Sequence, residues 1–258
     1  METARTEPAC RGYTLLFENE DFLVLDKAPG LLVHPTKPGP VKTLWHHLRE
    51  LLAYELVNGG QISLINRLDR ETSGVMLVAK KHESARALHL LLQRQQVRKR
   101  YSAIVYGWPS SDRFTVDAPL LRQGSVLPSS IWLKRTVHPS GYRATTEFWV
   151  RQRFERAEGR FALIEARPLT GRTHQIRTHL AHARHPLVGD KIYGPDETFY
   201  LEFIEQDWTP RLQAGLHLRR HALHAAELAF TLEGQSFCFA APLPPDLAGF
   251  METSSAAA

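Results

Sequence analysis

Residues 65–74 read Ile-Asn-Arg-Leu-Asp-Arg-Glu-Thr-Ser-Gly and run directly into the apolar segment Val75–Ala79. A polar loop that opens into an apolar strand is a common place for a rigid scaffold to present reactive groups. Asp69 lies between Arg67 and Arg70 in sequence, and these cations favour an ionised carboxylate that can act as nucleophile or general base. The alternative is structural: Asp69 forms an Asx-turn and the two arginines are solvated.

Apolar runs on both sides of this loop predict a strand-rich fold. Six segments have the composition of strands: Phe22–Leu25, Val75–Ala79, Tyr101–Val105, Thr145–Val150, Phe161–Ala166 and Phe237–Ala240. Leucines spaced by three and four predict helices over residues 43–57 and 83–96, and Thr173 is positioned to cap a third helix. Because the strands outnumber the helices and do not alternate regularly with them, we expect an α+β fold. Its central sheet is expected to be mixed but mostly antiparallel, with flanking helices and loops.

The chain is expected to form one continuous domain over residues 13–249. No repeat, low-complexity block or long linker interrupts this range, and the Pro/Gly-rich stretch Pro35–Pro40 is a loop too short to separate domains. Residues 1–12 and 250–258 are polar or small and lack periodicity, which predicts flexible ends.

The amino-acid composition favours some classes of protein and excludes others. The 258 residues include 32 Lys and Arg against 27 Asp and Glu, a formal charge of +5, and the pI of about 9.3 favours a polyanionic partner. No apolar run is long enough to span a membrane, and the N-terminus lacks an apolar signal core, so we expect a cytoplasmic protein. Cys10 and Cys238 are too few for a disulfide scaffold or a four-cysteine zinc site.

A second polar segment, Arg94–Tyr101, carries four cations between the second predicted helix and an aromatic strand start. Cations at a helix C-terminus offset the helix dipole, which explains some of them. A basic cluster beside an aromatic ring also fits an RNA backbone with a base stacked on Tyr101. The sequence leaves both interpretations open.

A third segment, Arg167–His179, places a Thr-Gly turn and Arg172 before the helix capped by Thr173. His174, Arg177 and Arg184 fall on one face of that helix, opposite the apolar stripe of Ile176, Leu180 and Ala183. The helix is therefore predicted to present a basic stripe, with N-terminal N–H groups that suit an anion. A solvated polar face is the alternative.

Four histidines, at positions 174, 179, 182 and 185, raise the question of a metal site. Their spacing contains no H-E-x-x-H pattern, no cysteine pair and no clear carboxylate ligand. We therefore expect no metal, and histidines that are solvated or face RNA.

In this order the segments resemble the RluA-type family of RNA pseudouridine synthases over residues 13–245. Asn66–Gly74 is similar to the family pattern H-R-L-D-x-x-T-S-G, and Lys99–Gly107 to K-x-Y-x-A-x-V-x-G. Thr170–His179 is similar to T-G-R-x-H-Q-I/L-R-x-H, and His185–Gly194 to H-P-x-x-G-D-x-x-Y-G. Lys27–Pro35 is similar to K-P-x-G-L-x-V-H-P, with Ala28 in place of the first Pro.

The resemblance implies an enzyme that isomerises uridine to pseudouridine in structured ribosomal or transfer RNA without a metal or other cofactor. It assigns Asp69 to the family's essential aspartate and Tyr101 to a tyrosine that stacks on uracil and is a candidate for the C5 proton. Arg172 falls on the arginine that pairs with the aspartate, and Arg67 on the arginine that helps to displace the nucleotide. The residues expected to contact RNA are Arg67, Arg70, Arg98, Lys99, His174, Arg177 and Arg184.

One position departs from the family pattern: Asn66 replaces the usual His before Arg67. Asn can donate a hydrogen bond but does not titrate, so we expect an orienting role and retained activity. The first 12 residues cannot hold the small RNA-binding domain of many relatives, so RNA selection is expected to come from the catalytic domain, acting as a monomer. Two other hypotheses are a non-catalytic RNA-binding protein or chaperone on the same fold, and a metal-dependent hydrolase that uses the histidine-rich helix.

Overall fold

The computed structural model describes residues 12–35 and 41–252. It divides into two compact units: the described residues of Met1–Lys99 with Ala225–Pro242, and those of Arg100–His224 with Leu243–Ala258. The predictions for residues 1–11, 36–40 and 253–258 lie outside the described residues, and the prediction of a single domain stays a prediction. In the described part of the chain, no helix is both long and apolar enough to cross a membrane.

The first unit is built from mostly antiparallel strands and three helices. The order of its strands is β1-β2-β4-β11-β12, with β3 on β4. The elements are β1 Tyr13–Glu18, β2 Phe22–Lys27, α1 Leu44–Leu51, α2 Ala53–Val57, β3 Ser63–Leu64, β4 Ser73–Ala79, α3 His82–Gln93, β11 Leu223–Leu232 and β12 Gln235–Ala240.

The core of the first unit forms around β4, whose seven residues are all buried. Val75, Leu77 and Ala79 alternate along one face of β4 and pack with residues of β2, α3 and β11, including Phe22, Leu88 and Phe230. Burying an aliphatic or aromatic side chain of this size contributes about 1.5–3 kcal/mol. This packing fixes the strand from which the Asp69 loop emerges.

The second unit contains the order β5-β10-β9-β6, a separate β7-β8 pair and four helices. Its elements are β5 Arg98–Tyr106, β6 Arg113–Asp117, β7 Leu120–Arg122, β8 Arg135–Val137, β9 Thr145–Arg156, β10 Gly159–Pro168, α4 Gln175–His182, α5 Thr198–Gln206, α6 Pro210–Leu216 and α7 Pro245–Met251. The unit boundaries fall after Lys99 in β5 and before Ala225 in β11.

Hydrogen bonds between buried polar side chains connect α4 to β9. Gln175 Nε2 donates to Thr146 Oγ1 at 3.0 Å, and that hydroxyl lies 2.9 Å from His179 Nδ1. His179 Nε2 lies 3.0 Å from the Ala118 carbonyl oxygen, which can only accept, so Nε2 carries the proton. Burial lowers the pKa of His179, so this histidine is a neutral structural residue.

The predicted α+β class, with mostly antiparallel strands, is confirmed. The six predicted strands all form, and the second predicted helix is α3. The helix predicted over residues 43–57 is interrupted at Leu52, which separates α1 from α2.

Three boundary predictions are wrong. The N-cap of α4 is His174, in a left-handed conformation with φ of 58°, and not Thr173. The predicted flexible C-terminus of residues 250–258 is wrong at its start, because Phe250 is buried and belongs to α7. The predicted flexible N-terminus of residues 1–12 is wrong at Gly12, because the Gly12 carbonyl accepts a hydrogen bond from Ala28 N at 2.9 Å.

Candidate functional site

The loop that carries Asp69 belongs to the first unit and ends where β4 begins. Asp69 is half-buried, whereas Arg67 and Arg70 are exposed. The backbone N–H of Thr72 donates to the Asp69 carbonyl at 3.1 Å, which closes a turn around the aspartate. The loop therefore holds Asp69 in a fixed backbone conformation between two cations that reach solvent.

A buried lysine ties this loop to the end of β2. The Lys27 side chain is fully buried, and Nζ donates to the carbonyl oxygens of Ala28 at 2.8 Å, Leu31 at 3.1 Å and Arg70 at 3.1 Å. Gly30 N also donates to the Arg70 carbonyl at 2.8 Å, and Arg70 Nε donates to the Gly30 carbonyl at 3.0 Å. Lys27 is therefore a positioning residue for the segment that includes Asp69.

Replacing Lys27 with Met should destabilise the first unit. The variant keeps the aliphatic volume but leaves three carbonyl oxygens without this donor, so we expect a loss on the order of 3 kcal/mol. Chemical denaturation monitored by circular dichroism measures the loss. Lys81→Met, which removes a half-exposed lysine on the same unit, is the control and should cost much less than Lys27→Met, because solvent screens surface ion pairs. Equal costs for both variants would contradict the role of Lys27.

Asn66 continues the ladder between β3 and β4 with its side chain. Its Nδ2 donates to the Val75 carbonyl at 3.0 Å, and its Oδ1 accepts from Leu77 N at 2.7 Å. The backbone can thus leave the sheet toward Asp69 without exposing unsatisfied groups of β4. This geometry gives Asn66 an orienting role that needs no titration; retention of activity with Asn at this position stays a prediction.

Gly74 is fixed by close packing at the start of β4. Its φ is +112°, and a Cβ at this position would lie 2.2 Å from the Ala225 carbonyl oxygen of β11. Only glycine fits this combination of backbone conformation and space. The Thr-Ser-Gly end of the Asp69 segment therefore has a steric basis in the first unit.

The last cations of the basic segment before Tyr101 lie at the start of β5. Arg98 is exposed, whereas Lys99 is half-buried and burial lowers its pKa. Tyr101, in the second unit, is 9% exposed and lies opposite Ala166 of β10. Arg98 is thus accessible to RNA phosphates, whereas the lower exposure of Lys99 makes Lys99 a poorer candidate for such a contact.

Arg172 lies on an exposed turn that Gln175 organises. Arg172 N donates to Gln175 Oε1 at 2.9 Å, and Thr170 Oγ1 donates to the same oxygen at 2.7 Å. The Arg172 guanidinium donates through Nε to the Arg143 carbonyl at 3.0 Å and lies 5.7 Å from the centre of the Tyr142 ring. The buried Gln175 side chain therefore holds the turn on which the exposed Arg172 lies.

The predicted basic stripe on α4 is wrong, because residues 175–180 are all buried. Arg177 is 5% exposed and forms a two-pronged ion pair with Asp190, with Nε–Oδ2 at 2.7 Å and Nη2–Oδ1 at 2.8 Å. A guanidinium so engaged does not contact RNA phosphates. Of the residues assigned to this stripe, Arg184 is exposed, and His174 is half-buried with Nδ1 2.9 Å from the Tyr193 hydroxyl.

Asp190 organises the polar core next to α4. Besides Arg177, its Oδ1 accepts from the backbone N–H groups of Ile192 at 3.0 Å and Tyr193 at 3.1 Å. Burial alone would raise the pKa of Asp190, but the Arg177 guanidinium outweighs burial and holds the pKa below its ordinary value of 3.8. Burial raises the pKa of Tyr193 to about 12, so its hydroxyl stays protonated.

The pKa of Asp190 predicts how acid affects stability. A carboxyl group whose pKa is lower in the folded state stabilises the protein above its unfolded value of 3.8, and the contribution is lost as the pH falls toward the lowered folded value. Asp190→Asn should therefore cost about 3–5 kcal/mol at pH 7, because it leaves the Arg177 charge buried, and the difference should shrink below about pH 4. Denaturant unfolding of both proteins from pH 7 to pH 2 measures this; a difference independent of pH would contradict it.

The histidines of this segment do not share one environment. His179 is fully buried and structural, so the expectation that these histidines are solvated or face RNA is wrong for it. His182 is exposed, and His185 is half-buried with Nδ1 3.0 Å from the Tyr106 carbonyl oxygen. Within residues 12–35 and 41–252, no group of three His, Cys, Asp or Glu side chains is arranged to hold a metal ion.

Four residues with a visible structural role are not predicted from the sequence: Lys27, Gln175, Asp190 and Tyr193. All four lie inside the segments that resemble the family, and this resemblance is the sequence signal that could have identified them. Lys27 holds the Asp69 loop and Gln175 holds the Arg172 turn. Asp190 pairs with Arg177, and the Tyr193 hydroxyl lies next to His174. Asp69, Arg67, Arg70, Arg98 and Lys99 belong to the first unit, and Tyr101, Arg172, His174, Arg177 and Arg184 to the second.

Known RNA pseudouridine synthases are similar in sequence to most of this chain. The sequence model described as RNA pseudouridylate synthase matches residues 21–182. The "Uncharacterized RNA pseudouridine synthase YlyB" of Bacillus subtilis (strain 168) is 35% identical over 246 residues, which cover 92% of this chain and 71% of that protein. The ribosomal large subunit pseudouridine synthase D of Escherichia coli O6:H1 is 35% identical over 266 residues, covering 99% of this chain and 74% of that protein.

A solved structure supports the fold. Human RNA Pseudouridylate Synthase Domain Containing 1 aligns with a TM-score of 0.68 at 22% identity and covers 94% of this chain and 89% of that chain. The sequence relatives carry the assignment further, because their identity extends over most of the chain. The chain therefore belongs to the RNA pseudouridylate synthase family, and its resemblance to the RluA-type members is confirmed.

Proposed function

We propose that this RNA pseudouridine synthase converts specific uridines of ribosomal RNA to pseudouridine, with Asp69 as the catalytic group. In the reaction the N1–C1′ bond breaks, a C5–C1′ bond forms, and the proton lost from C5 is balanced by a proton gained at N1. The isomerisation balances without an oxidant, reductant or second substrate. The observation that carries the proposal is the Asp69 loop, held by Lys27 and by a turn at Thr72.

The chemistry requires one ionised group, one aromatic surface and cations. An Asp69 carboxylate can attack C1′, attack the base or remove the C2′ proton, and the fixed loop suits each of these roles. Tyr101 offers a ring on which uracil can stack and a hydroxyl for proton transfer at C5. Arg172 supplies a charge from an exposed turn, and Arg67 is an exposed cation that can help to hold a flipped nucleotide out of the RNA stack.

Ribosomal RNA is the favoured substrate because several relatives are named ribosomal large subunit pseudouridine synthases. The test is to map pseudouridines in ribosomal and transfer RNA from cells with and without the gene. We expect at least one ribosomal RNA position to lose its pseudouridine and to regain it on complementation by the wild-type chain. Loss confined to transfer RNA would overturn the choice of substrate, and no loss in either RNA would overturn the function.

RNA affinity should depend on salt through the exposed cations. Each phosphate contact releases about one counterion, so log affinity should fall with log salt by about 0.7–0.9 per contact. Arg98→Gln should make this slope shallower by about one contact, since Arg98 is exposed. The matched variant Arg177→Gln should leave the slope unchanged and lower thermal stability, because Arg177 is buried against Asp190. Unchanged slopes for both variants would remove Arg98 from the RNA contacts.

Two further features stay predictions: a monomeric state and a cytoplasmic location. Sedimentation equilibrium of the purified chain tests the first, and cell fractionation tests the second.

A further inference from the structure

Residues 118–146, called here the hairpin segment, contain four Lys or Arg and no Asp or Glu. The segment thus carries a formal +4 within a chain whose total is +5. It includes the β7-β8 pair, which belongs to the second unit. Such a one-sided charge in a short surface segment indicates a polyanionic partner.

Two largely exposed aromatic rings lie among these cations. Trp132 is 75% exposed and Tyr142 is 72% exposed. The Arg122 guanidinium lies 3.7 Å from the centre of the Trp132 ring, and the Arg172 guanidinium lies 5.7 Å from the centre of the Tyr142 ring. An exposed aromatic ring accompanied by an arginine can stack an unpaired base while the cation remains close to its phosphate.

The hairpin segment is anchored, so these rings are presented from a fixed support. Leu120 and Tyr142 exchange two backbone hydrogen bonds of 2.9 Å, and Arg135 N donates to the Tyr193 hydroxyl at 2.8 Å. Ile131, which directly precedes Trp132, is buried against Ile192 and Tyr193. A preorganised surface loses little entropy on binding, which favours recognition by stacking.

Arg122 and Arg143 carry the charges of the segment that are available to a ligand. Lys134 forms an ion pair with Glu197. No carboxylate in the described part of the chain pairs with Arg122 or Arg143, and Arg143 is exposed. A protein partner would also cover the exposed Leu127 and Leu133, but the cation excess and the absence of acids favour RNA.

We propose that the hairpin segment is an RNA-recognition surface on which Trp132 and Tyr142 stack unpaired bases of the substrate RNA, while Arg122 and Arg143 contact its phosphates. The proposal rests on the proposed function, since it names the part of the chain that selects the RNA. Stacking on the two rings would distinguish unpaired from paired RNA, which phosphate contacts alone do not. Stacking requires unpaired bases, whereas phosphates are present in any RNA.

The probes are a stem–loop RNA whose loop contains unpaired uridines and a fully paired duplex with the same stem sequence. Trp132→Ala and Tyr142→Ala should each weaken binding of the stem–loop on the order of tenfold and change binding of the duplex by less than about twofold. Tyr54→Ala is the control, because Tyr54 is 80% exposed but lies on α2 of the first unit. It should leave both affinities within about twofold of wild type.

Fluorescence separates stacking from an indirect effect on folding. Stacking should quench Trp132, so the difference between the spectra of wild type and Trp132→Phe should diminish when the stem–loop is added. Stem–loop affinities of both alanine variants within about twofold of wild type, or equal losses for stem–loop and duplex, would overturn the proposal. Binding is measured without turnover, so this outcome is independent of whether the purified chain forms pseudouridine, which tests the proposed function.

Discussion

Asp69→Asn is expected to abolish pseudouridine formation, with a loss of at least about 10³-fold in the single-turnover rate, while folding and RNA affinity stay close to wild type. The substitution removes the charge and keeps the volume, and the loop is held by Lys27 and by the backbone turn at Thr72. The rate is measured as pseudouridine in nuclease digests of the RNA by mass spectrometry.

Glu71→Gln is the matched control for Asp69→Asn. It removes a carboxylate two residues further along the same loop, so it tests whether any loss of negative charge in this segment impairs the reaction. We expect its rate to stay within about tenfold of wild type. A rate for Asp69→Asn as high as that of Glu71→Gln would exclude Asp69 as the catalytic group.

Tyr101→Phe is expected to lower the rate by about 10²–10⁴-fold and to leave RNA affinity within about threefold. The variant keeps the ring that stacks on uracil and removes the hydroxyl that is the candidate for proton transfer at C5. Single-turnover rates at saturating enzyme, together with equilibrium binding of the same RNA, separate the two contributions.

The neighbouring tyrosine on β5 provides the control for Tyr101→Phe. The Tyr106 hydroxyl donates to the Gly215 carbonyl at 2.9 Å, and burial raises its pKa, so Tyr106→Phe should affect stability and not the chemical step. If RNA binding by Tyr101→Phe collapses while bound RNA reacts at the normal rate, Tyr101 is a binding residue only.

Elements with regular patterns could be predicted from the sequence. The leucine spacing before residue 96 predicts α3, and the apolar run at 75–79 predicts β4, because each pattern reflects burial of one local face or of a whole strand. β11 was not predicted: its sequence, Leu-His-Ala-Ala-Glu-Leu-Ala-Phe-Thr-Leu, is rich in alanine and has weak strand propensity. Its strand conformation comes from pairing with strands distant in sequence.

The residues of the candidate site also differ in how well the sequence predicts them. Motif comparison identifies Asp69, Tyr101 and Arg172, since their neighbours in sequence carry the signal. Helical periodicity misplaces Arg177 because it cannot show that Asp190, 13 residues later, neutralises a buried guanidinium. Lys27 is missed for a similar reason, because one of its carbonyl partners, that of Arg70, lies 43 residues away. Buried charged groups are stable only with such partners, and partners distant in sequence leave no local pattern.

Pseudouridine formation by this chain is proposed to depend on the carboxylate of Asp69. The most direct measurement incubates the purified chain, or its Asp69→Asn variant, with ribosomal RNA from cells that lack the gene and then maps pseudouridine at each uridine. We expect wild type to restore pseudouridine at the positions lost on deletion and Asp69→Asn to restore none. Restoration by both proteins, or by neither, would contradict it.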